Sequence, residues 1–329
     1  MRLGGGWYIA VMTTNAQHPT PTFQVLLYYW FAPLEHPEEI AQEQRDLCAR
    51  LDLRGRILVS PEGLNGTVSG TVGSCEAYCE AMRNHPIFHP MVFKIDPSDG
   101  HVFRKMFVRL KEELVTFRAP NAPKPWERTG THLSPSAFRA MLERDDVIVL
   151  DGRTDYEFDV GHFRKAIRPE VASFREFPDW IRANLADAKD RPILTYCTGG
   201  IRCEKLTGWM LEEGFTNVYQ LDGGIVSYGK DPDVRGELWD GTCYVFDERI
   251  TVPINSVNPV VVGRCIHCDG PTDIYVDCAN LECHSQHLAC PECIVRMEHS
   301  CSESCRTAPR RETVDLSRYQ SHNVTEQPS

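Results

Sequence analysis

No stretch of this 329-residue chain is apolar for anything near the ~20 residues needed to cross a bilayer, so a transmembrane helix is excluded. The start has one arginine and a short apolar patch at 7–11, too brief for a secretory signal. Met12 is an equally good first residue, because 13–22 reads as a polar, flexible tail. Without a targeting segment the expected location is cytoplasmic, with no membrane partner. Net positive charge is also lacking. Lys and Arg number 35 against 46 Asp and Glu, a balance of -11 that excludes coating nucleic acid through bulk charge. No nucleotide or flavin motif is present, nor a haem or iron motif, so a bound redox group has no visible home.

What the chain does have is cysteine, 14 in all. In a reducing compartment these stay thiols, metal ligands or catalytic groups. The most informative one opens the run Cys197-Thr198-Gly199-Gly200-Ile201-Arg202-Cys203-Glu204-Lys205. A short apolar run precedes it and an apolar-periodic segment with Leu206, Trp209, Met210 and Leu211 follows, which reads as strand, tight glycine turn and helix. Backbone N–H groups and a positive helix end then converge on the sulfur and favour the thiolate. Thr198, Gly199, Gly200, Ile201 and Arg202 form the anion-stabilising loop, with Arg202 as a positive charge at its rim. The plain alternative is a buried structural cysteine beside an ordinary turn. Cys203 serves either to resolve an oxidised Cys197 or simply to pack.

The chain divides at 119–125, where three prolines in seven residues mark a linker. Before it, residues 23–118 predict strands at 23–31, 56–60, 66–69, 91–95 and 106–110, with helices at 37–51 and 72–84 and a turn at 61–65. The first six of these run β-α-β-β-α-β, a ferredoxin-like sandwich, and Cys48, Cys75 and Cys79 fall in its helices as packing residues. The stretch 101–128 is locally basic, and Arg104, Lys105, Arg109 and Lys111 are candidates for phosphate contact, with a solvated surface as the plain alternative. After the linker at 119–133, residues 134–242 alternate strands (147–150, 192–196, 218–221) with helices, one starting at Ser134-Pro135 and one over 177–188. Such alternation means a parallel α/β sheet, with Cys197 at the carboxyl end of a strand, where these sheets place ligand sites.

The region 243–305 is cysteine-rich. Its last part carries four pairs: Cys265 with Cys268, Cys278 with Cys283, Cys290 with Cys293, and Cys301 with Cys305. Eight thiolates fill two closed tetrahedral zinc sites, and metal would supply folding energy to a segment too polar for a core. Pairing is sequential or interleaved; the interleaved form ties the ends of the segment together. An iron–sulfur cluster and redox disulfides are the alternatives, and His267, His284, His287 or His299 could replace a cysteine. Residues 306–329 read as a disordered polar tail.

These residues resemble the tRNA uridine(34) hydroxylase family, over about 23–305 and in the same domain order. The cysteine run is the most specific motif. Gly55-Arg56-Ile57-Leu58-Val59-Ser60-Pro61-Glu62-Gly63-Leu64-Asn65-Gly66-Thr67, Ser173-Phe174-Arg175-Glu176-Phe177-Pro178, Cys243-Tyr244-Val245-Phe246-Asp247-Glu248-Arg249 and the 265–305 module support it. The chain departs from the family at Asp151-Gly152-Arg153-Thr154, where Asn is usual in place of Thr154, and at Lys165-Ala166, where Gly-Ala is common. Both departures bear on loop packing or substrate contact. The resemblance implies an α/β and α+β multidomain protein: an N-terminal ferredoxin-like (acylphosphatase-like) domain, a central rhodanese-like parallel α/β domain and a C-terminal cysteine-rich zinc module. It implies a tRNA partner, molecular oxygen as co-substrate, conversion of wobble uridine to 5-hydroxyuridine, and Cys197 as catalytic residue. A sulfurtransferase carrying a persulfide on Cys197 is the alternative, and a non-enzymatic binding module the third reading.

Overall fold

The computed structural model describes residues 21–119 and 121–320. Its first unit contains β1 (Phe23–Phe31), α1 (Pro37–Arg50), β2 (Arg54–Ser60), β3 (Gly63–Thr71), α2 (Val72–Arg83), β4 (Lys94–Ser98) and β5 (Met106–Leu110). The sheet order is β4-β1-β3-β2-β5. The first four strands pair antiparallel in the ferredoxin-like arrangement, and β5 adds a parallel edge beside β2. Pro37 opens α1, and the Thr71 hydroxyl accepts the Ser74 N–H at 3.2 Å to cap α2. Both helices cover one face of the sheet, burying Leu26, Tyr28, Ile57, Val59 and Val68 with Cys48, Cys75 and Cys79. Burial pushes these three thiols up, Cys48 to about 12 and the other two to about 11, as befits packing residues.

Two elements differ from expectation. The strand expected at 66–69 begins at Gly63, directly opposite Ser60, so the turn shrinks to Pro61-Glu62. Gly63 has φ 132°, and a Cβ there would lie 2.1 Å from the Trp30 carbonyl oxygen. The strand expected at 91–95 starts only at Lys94, because Met91 is buried and Phe93 packs in the helix-side core before pairing with β1 begins.

The second unit runs β6 (Thr131–Leu133), α3 (Pro135–Leu142), β7 (Ile148–Asp151), α4 (Asp155–Val160), β8 (Gly161–Phe163), β9 (Ala166–Ile167), α5 (Phe177–Asn184), β10 (Ile193–Tyr196), α6 (Ile201–Glu212), β11 (Val218–Leu221) and α7 (Gly224–Lys230). The sheet is parallel throughout, in the order β6-β11-β10-β7-β9. β7 and β10 are buried at every position, as strands with both faces covered must be. The helix expected to reach 188 stops at Asn184, since Leu185 leaves helical angles at φ -125° and buries its side chain. Phe117, placed by the sequence in the first unit, packs in the second, 4.9 Å ring to ring from Phe174.

The third part holds β12 (Trp239–Tyr244), β13 (Thr251–Pro253), β14 (Tyr275–Asp277), β15 (Gln286–Leu288), α8 (Pro291–Met297), α9 (Glu303–Arg306) and α10 (Ser317–Gln320). Its core is small, with Cys265, Val276, Ala289, Cys293 and Ile294. The expectation of disorder from 306 onward does not hold through 320. Arg311 pairs with Glu298 at 2.7 Å and bridges to Asn280, while Leu316 and Tyr319 pack on the core. Residues 1–20 and 321–329, also expected to be tails, lie outside the described residues. No helix among the described residues is long and apolar enough to cross a membrane.

The first two units are locked by the residues just after the cysteine loop. Lys205 Nζ reaches Glu62 at 2.7 Å and Glu113 at 2.8 Å, and the Tyr29 hydroxyl donates to Glu204 at 2.9 Å. Lys205 and Glu62 are both buried. Lys205→Met should leave Glu62 without its cation and cost on the order of 3–5 kcal/mol, read as a lower denaturation midpoint. A midpoint equal to wild type would show that this lock contributes nothing.

Candidate active site

β10 delivers Cys197 to a turn that has no room for larger residues. A Cβ on Gly199 would lie 3.1 Å from Leu27 Cδ2, and one on Gly200, at φ 100°, would lie 2.9 Å from the Tyr29 hydroxyl. The turn leads straight into α6, whose first N–H groups point back at the sulfur. Gly200 N–H donates to Cys197 Sγ at 3.2 Å. Burial alone would push this thiol up. A hydrogen bond from the Cys203 thiol, the Arg202 guanidinium, and the Cys203 and Arg202 backbone N–H groups outweigh it and bring Cys197 down to about 6. Cys203 is the counterpart. Burial and its bond to the Cys197 thiolate hold it well above its ordinary value, so it remains a protonated donor. All 14 cysteines are free thiols.

Arg202 is not the rim charge that the sequence suggested. Its side chain is only 11% exposed and forms a two-pronged pair with Glu157, at 2.7 and 2.8 Å. Glu157 is fully buried; burial would raise its carboxyl, but Arg202 leads the groups that hold it down at about 2. Glu157 also accepts the Thr154 N–H at 3.2 Å and the Thr154 hydroxyl at 2.7 Å. Thr154, the departure from the family pattern, therefore caps α4 and orients the carboxylate that holds Arg202. Arg153, beside it, is buried against Asp151 at 2.6 Å. Of the two roles expected for this stretch, loop packing is the one it has. At the second departure, Lys165 is exposed and reaches Asp145 at 3.0 Å.

The loop floors a cavity of about 270 Å³. Cys197, Thr198, Gly199, Ile201 and Arg202 line it from below. The uncovered face of the ferredoxin-like sheet forms the roof, through Leu27, Tyr29, Arg56, Leu58, Asn65 and Thr67. Phe246 stands at the side, half exposed, with the Arg202 guanidinium 5.9 Å from its ring centre. Tyr29 also lines a neighbouring cavity of about 550 Å³ with Lys94, His132, Glu204 and Asp222. Glu204 accepts from Tyr29, His132 and Thr129, each at 2.9 Å. Burial opposes these bonds, yet together they lower its carboxyl. Burial also brings Lys94 down to about 8.

Tyr29, Glu157 and the roof residues escaped the sequence reading. The strand alternation that puts Tyr28 inside the core puts Tyr29 on the opposite face, and that signal was available. Arg104, Lys105, Arg109 and Lys111 are exposed on and around the edge strand β5, and Arg104 is 3.1 Å from Glu248. Cys243, in a supporting motif, is buried and pushed up to about 12, the mark of a packing residue.

The eight C-terminal cysteines gather into two interleaved groups. One is Cys265, Cys268, Cys290 and Cys293; the other is Cys278, Cys283, Cys301 and Cys305, with all sulfurs of a group within 4.8 Å of one another. Sulfur separations of 3.7 Å (Cys268–Cys290), 3.6 Å (Cys283–Cys301) and 3.7 Å (Cys301–Cys305) match the edge of about 3.8 Å that a tetrahedron with ~2.3 Å metal–sulfur bonds requires. Both groups can hold a metal ion, and neither includes a histidine.

Comparison with known sequences agrees with this architecture. Residues 23–114 match the family described as UPF0176 acylphosphatase like domain, 134–231 the rhodanese-like domain, and 240–306 the rhodanase C-terminal region. A Bacillus cereus protein named tRNA uridine(34) hydroxylase is 52% identical over 295 residues, covering 90% of this chain and 92% of its own. One of the same name from Bacillus cytotoxicus is 51% identical over 305 residues, 93% of each. The chain belongs to the tRNA uridine(34) hydroxylase family. Among solved structures, the rhodanese-like domain of the Anabaena sp Alr3790 protein aligns over 41% of this chain and 94% of its own, at 20% identity and TM-score 0.30.

A thiol near 6 makes a definite pH profile. Cys197 should be mostly thiolate at neutral pH, and its alkylation by a reagent small enough to enter the cavity should rise through a midpoint near 6. Labelling that rises only near the free-thiol value of roughly 8.5 would remove the activated loop.

Proposed function

We propose that this chain hydroxylates uridine 34 of tRNA at C5 to give 5-hydroxyuridine, with Cys197 as nucleophile and molecular oxygen as co-substrate. The observation that carries the reading is an activated thiolate on the floor of a cavity between the first two units, in a chain about half identical to proteins of that name. Uridine C5 does not meet oxygen readily. Addition of the Cys197 thiolate to C6 forms a C–S bond and moves the C5–C6 π pair toward C5 and O4, which makes C5 a carbon nucleophile. One atom of oxygen joins C5, and the other leaves as water, its two electrons and two protons supplied by two thiols in solution that become a disulfide. Loss of the C5 proton and expulsion of the thiolate restore the ring. The Gly200, Arg202 and Cys203 N–H groups and the Arg202 guanidinium stabilise the sulfur anion before addition and after release. Phosphates of the tRNA meet Arg104, Lys105, Arg109 and Lys111 along β5.

A sulfurtransferase would use the same loop to hold a persulfide, and the relatives' names favour hydroxylation over it. Cys197→Ser keeps the volume and removes the sulfur. Nucleoside analysis of tRNA treated with wild type should find 5-hydroxyuridine, and with the variant none. Product at wild-type levels from the variant would refute the catalytic role, and cyanide-dependent turnover of thiosulfate without any 5-hydroxyuridine would favour sulfur transfer.

Both cysteine groups hold structural zinc in this reading. Four thiolates around each ion leave no open position for oxygen or water, so the chemistry stays with Cys197. Elemental analysis should find about two zinc ions per chain, by ligand count. Chelation should unfold the C-terminal module before the rest. Iron with visible absorbance would contradict it.

A further inference from the structure

The roof of the Cys197 cavity has a polar corner that the thiolate chemistry does not use. Pairing of β2 with β3 sets Arg56 opposite Thr67 and Leu58 opposite Asn65, while β1 sets Leu27 and Tyr29 opposite the same two β3 residues. These six side chains share one face of the sheet, the one turned to the loop. Across the three strands Thr67 lies between Leu27 and Arg56, and Asn65 between Tyr29 and Leu58. Arg56, Asn65 and Thr67 are thus polar neighbours in an apolar surround, and their side chains have no hydrogen-bond or ion-pair partner among the described residues. Asn65 and Thr67 are half-buried on a central strand. Arg56 is exposed, and with no partner in the protein the three side chains offer their polar atoms to whatever enters the cavity.

We propose that Asn65, with Arg56 beside it, reads the hydrogen-bonding edge of the target base and selects uracil over cytosine. The proposal rests on the reading that a uridine enters this cavity. Uracil presents an N3–H donor next to the O4 acceptor; cytosine presents an N3 acceptor next to an amino donor. An asparagine amide offers both a donor and an acceptor, and by turning over it suits either base. Arg56 removes that ambiguity, because a guanidinium only donates. Asn65 Oδ1 accepts from N3–H while Arg56 donates to O4. Cytosine would bring its amino donor against the guanidinium and leave both unpaired. Sites that hydrogen-bond their substrate reject analogues most strongly in this way.

The test uses the full chain and two anticodon stem-loop RNAs that differ only in carrying U34 or C34, compared by competition binding and by product formation. Wild type should prefer U34. Asn65→Ala should weaken that preference on the order of 5- to 150-fold, whereas Asn65→Asp, which accepts only, should keep it, because its carboxylate still takes N3–H of uracil and repels N3 of cytosine. Arg56→Gln, at an exposed position, should also weaken the preference and gives the same reading if the Asn65 variants do not fold. Wild-type binding that ignores the base, Asn65→Ala and Arg56→Gln variants that keep the wild-type ratio, or an Asn65→Asp variant that comes to prefer C34, would overturn the proposal. Wild type that prefers U34 in binding yet makes no 5-hydroxyuridine would support base reading here and sink the hydroxylation reading instead.

Discussion

Burying a thiolate is costly, and in this chain the cost is offset at one place, the end of β10, where Arg202 approaches Cys197 already held by Glu157. A lone buried guanidinium would be as costly as the thiolate. Glu157 makes it tolerable, and Thr154 fixes Glu157 through a helix cap. The charge sequence therefore runs from a cap on α4, through a carboxylate and a guanidinium, to sulfur. The Cys203 thiol and the first N–H groups of α6 complete it. The Thr154–Glu157 and Glu157–Arg202 links are short hydrogen bonds, and the last, from guanidinium to sulfur, is electrostatic; in a buried setting such links are strong and broken ones expensive.

The same loop also assembles the molecule. The two glycines let Leu27 and Tyr29 descend onto the turn, and Glu204 and Lys205 then fasten the first unit from the helix side. An open ferredoxin-like sheet face roofs the Cys197 cavity. The motif thus supplies a thiol of lowered pKa, its anion cradle and the contacts that bring in the roof. Floor and roof come from different domains, so neither domain alone contains the whole cavity.

Much of this was legible in the chain. The strand, glycine turn and helix around Cys197 announced themselves through pattern and composition, and the β-α-β-β-α-β order announced the first sheet. Cysteine spacing announced two four-sulfur groups, though only the fold decided that they interleave. What stayed hidden were contacts between distant residues. Nothing local in Asp155-Tyr156-Glu157 says that Glu157 will meet Arg202, so Arg202 read as a rim charge. Leu316 and Tyr319 look like isolated apolar residues in a polar tail, and only the small C-terminal core gives them a place. Strand ends failed where Met91 and Phe93 took packing sites ahead of pairing.

The central claim is that Arg202, presented by Glu157, is part of what holds Cys197 as a thiolate. The direct measurement is a titration of the Cys197 thiolate by its ultraviolet absorbance, with Cys197→Ser as the blank, in wild type and in the Glu157→Gln/Arg202→Met double variant. Removing both charges leaves no uncompensated ion buried. The account predicts a wild-type midpoint near 6 and a clear rise toward the free-thiol value of roughly 8.5 in the double variant. A double variant that still titrates near 6 would contradict it.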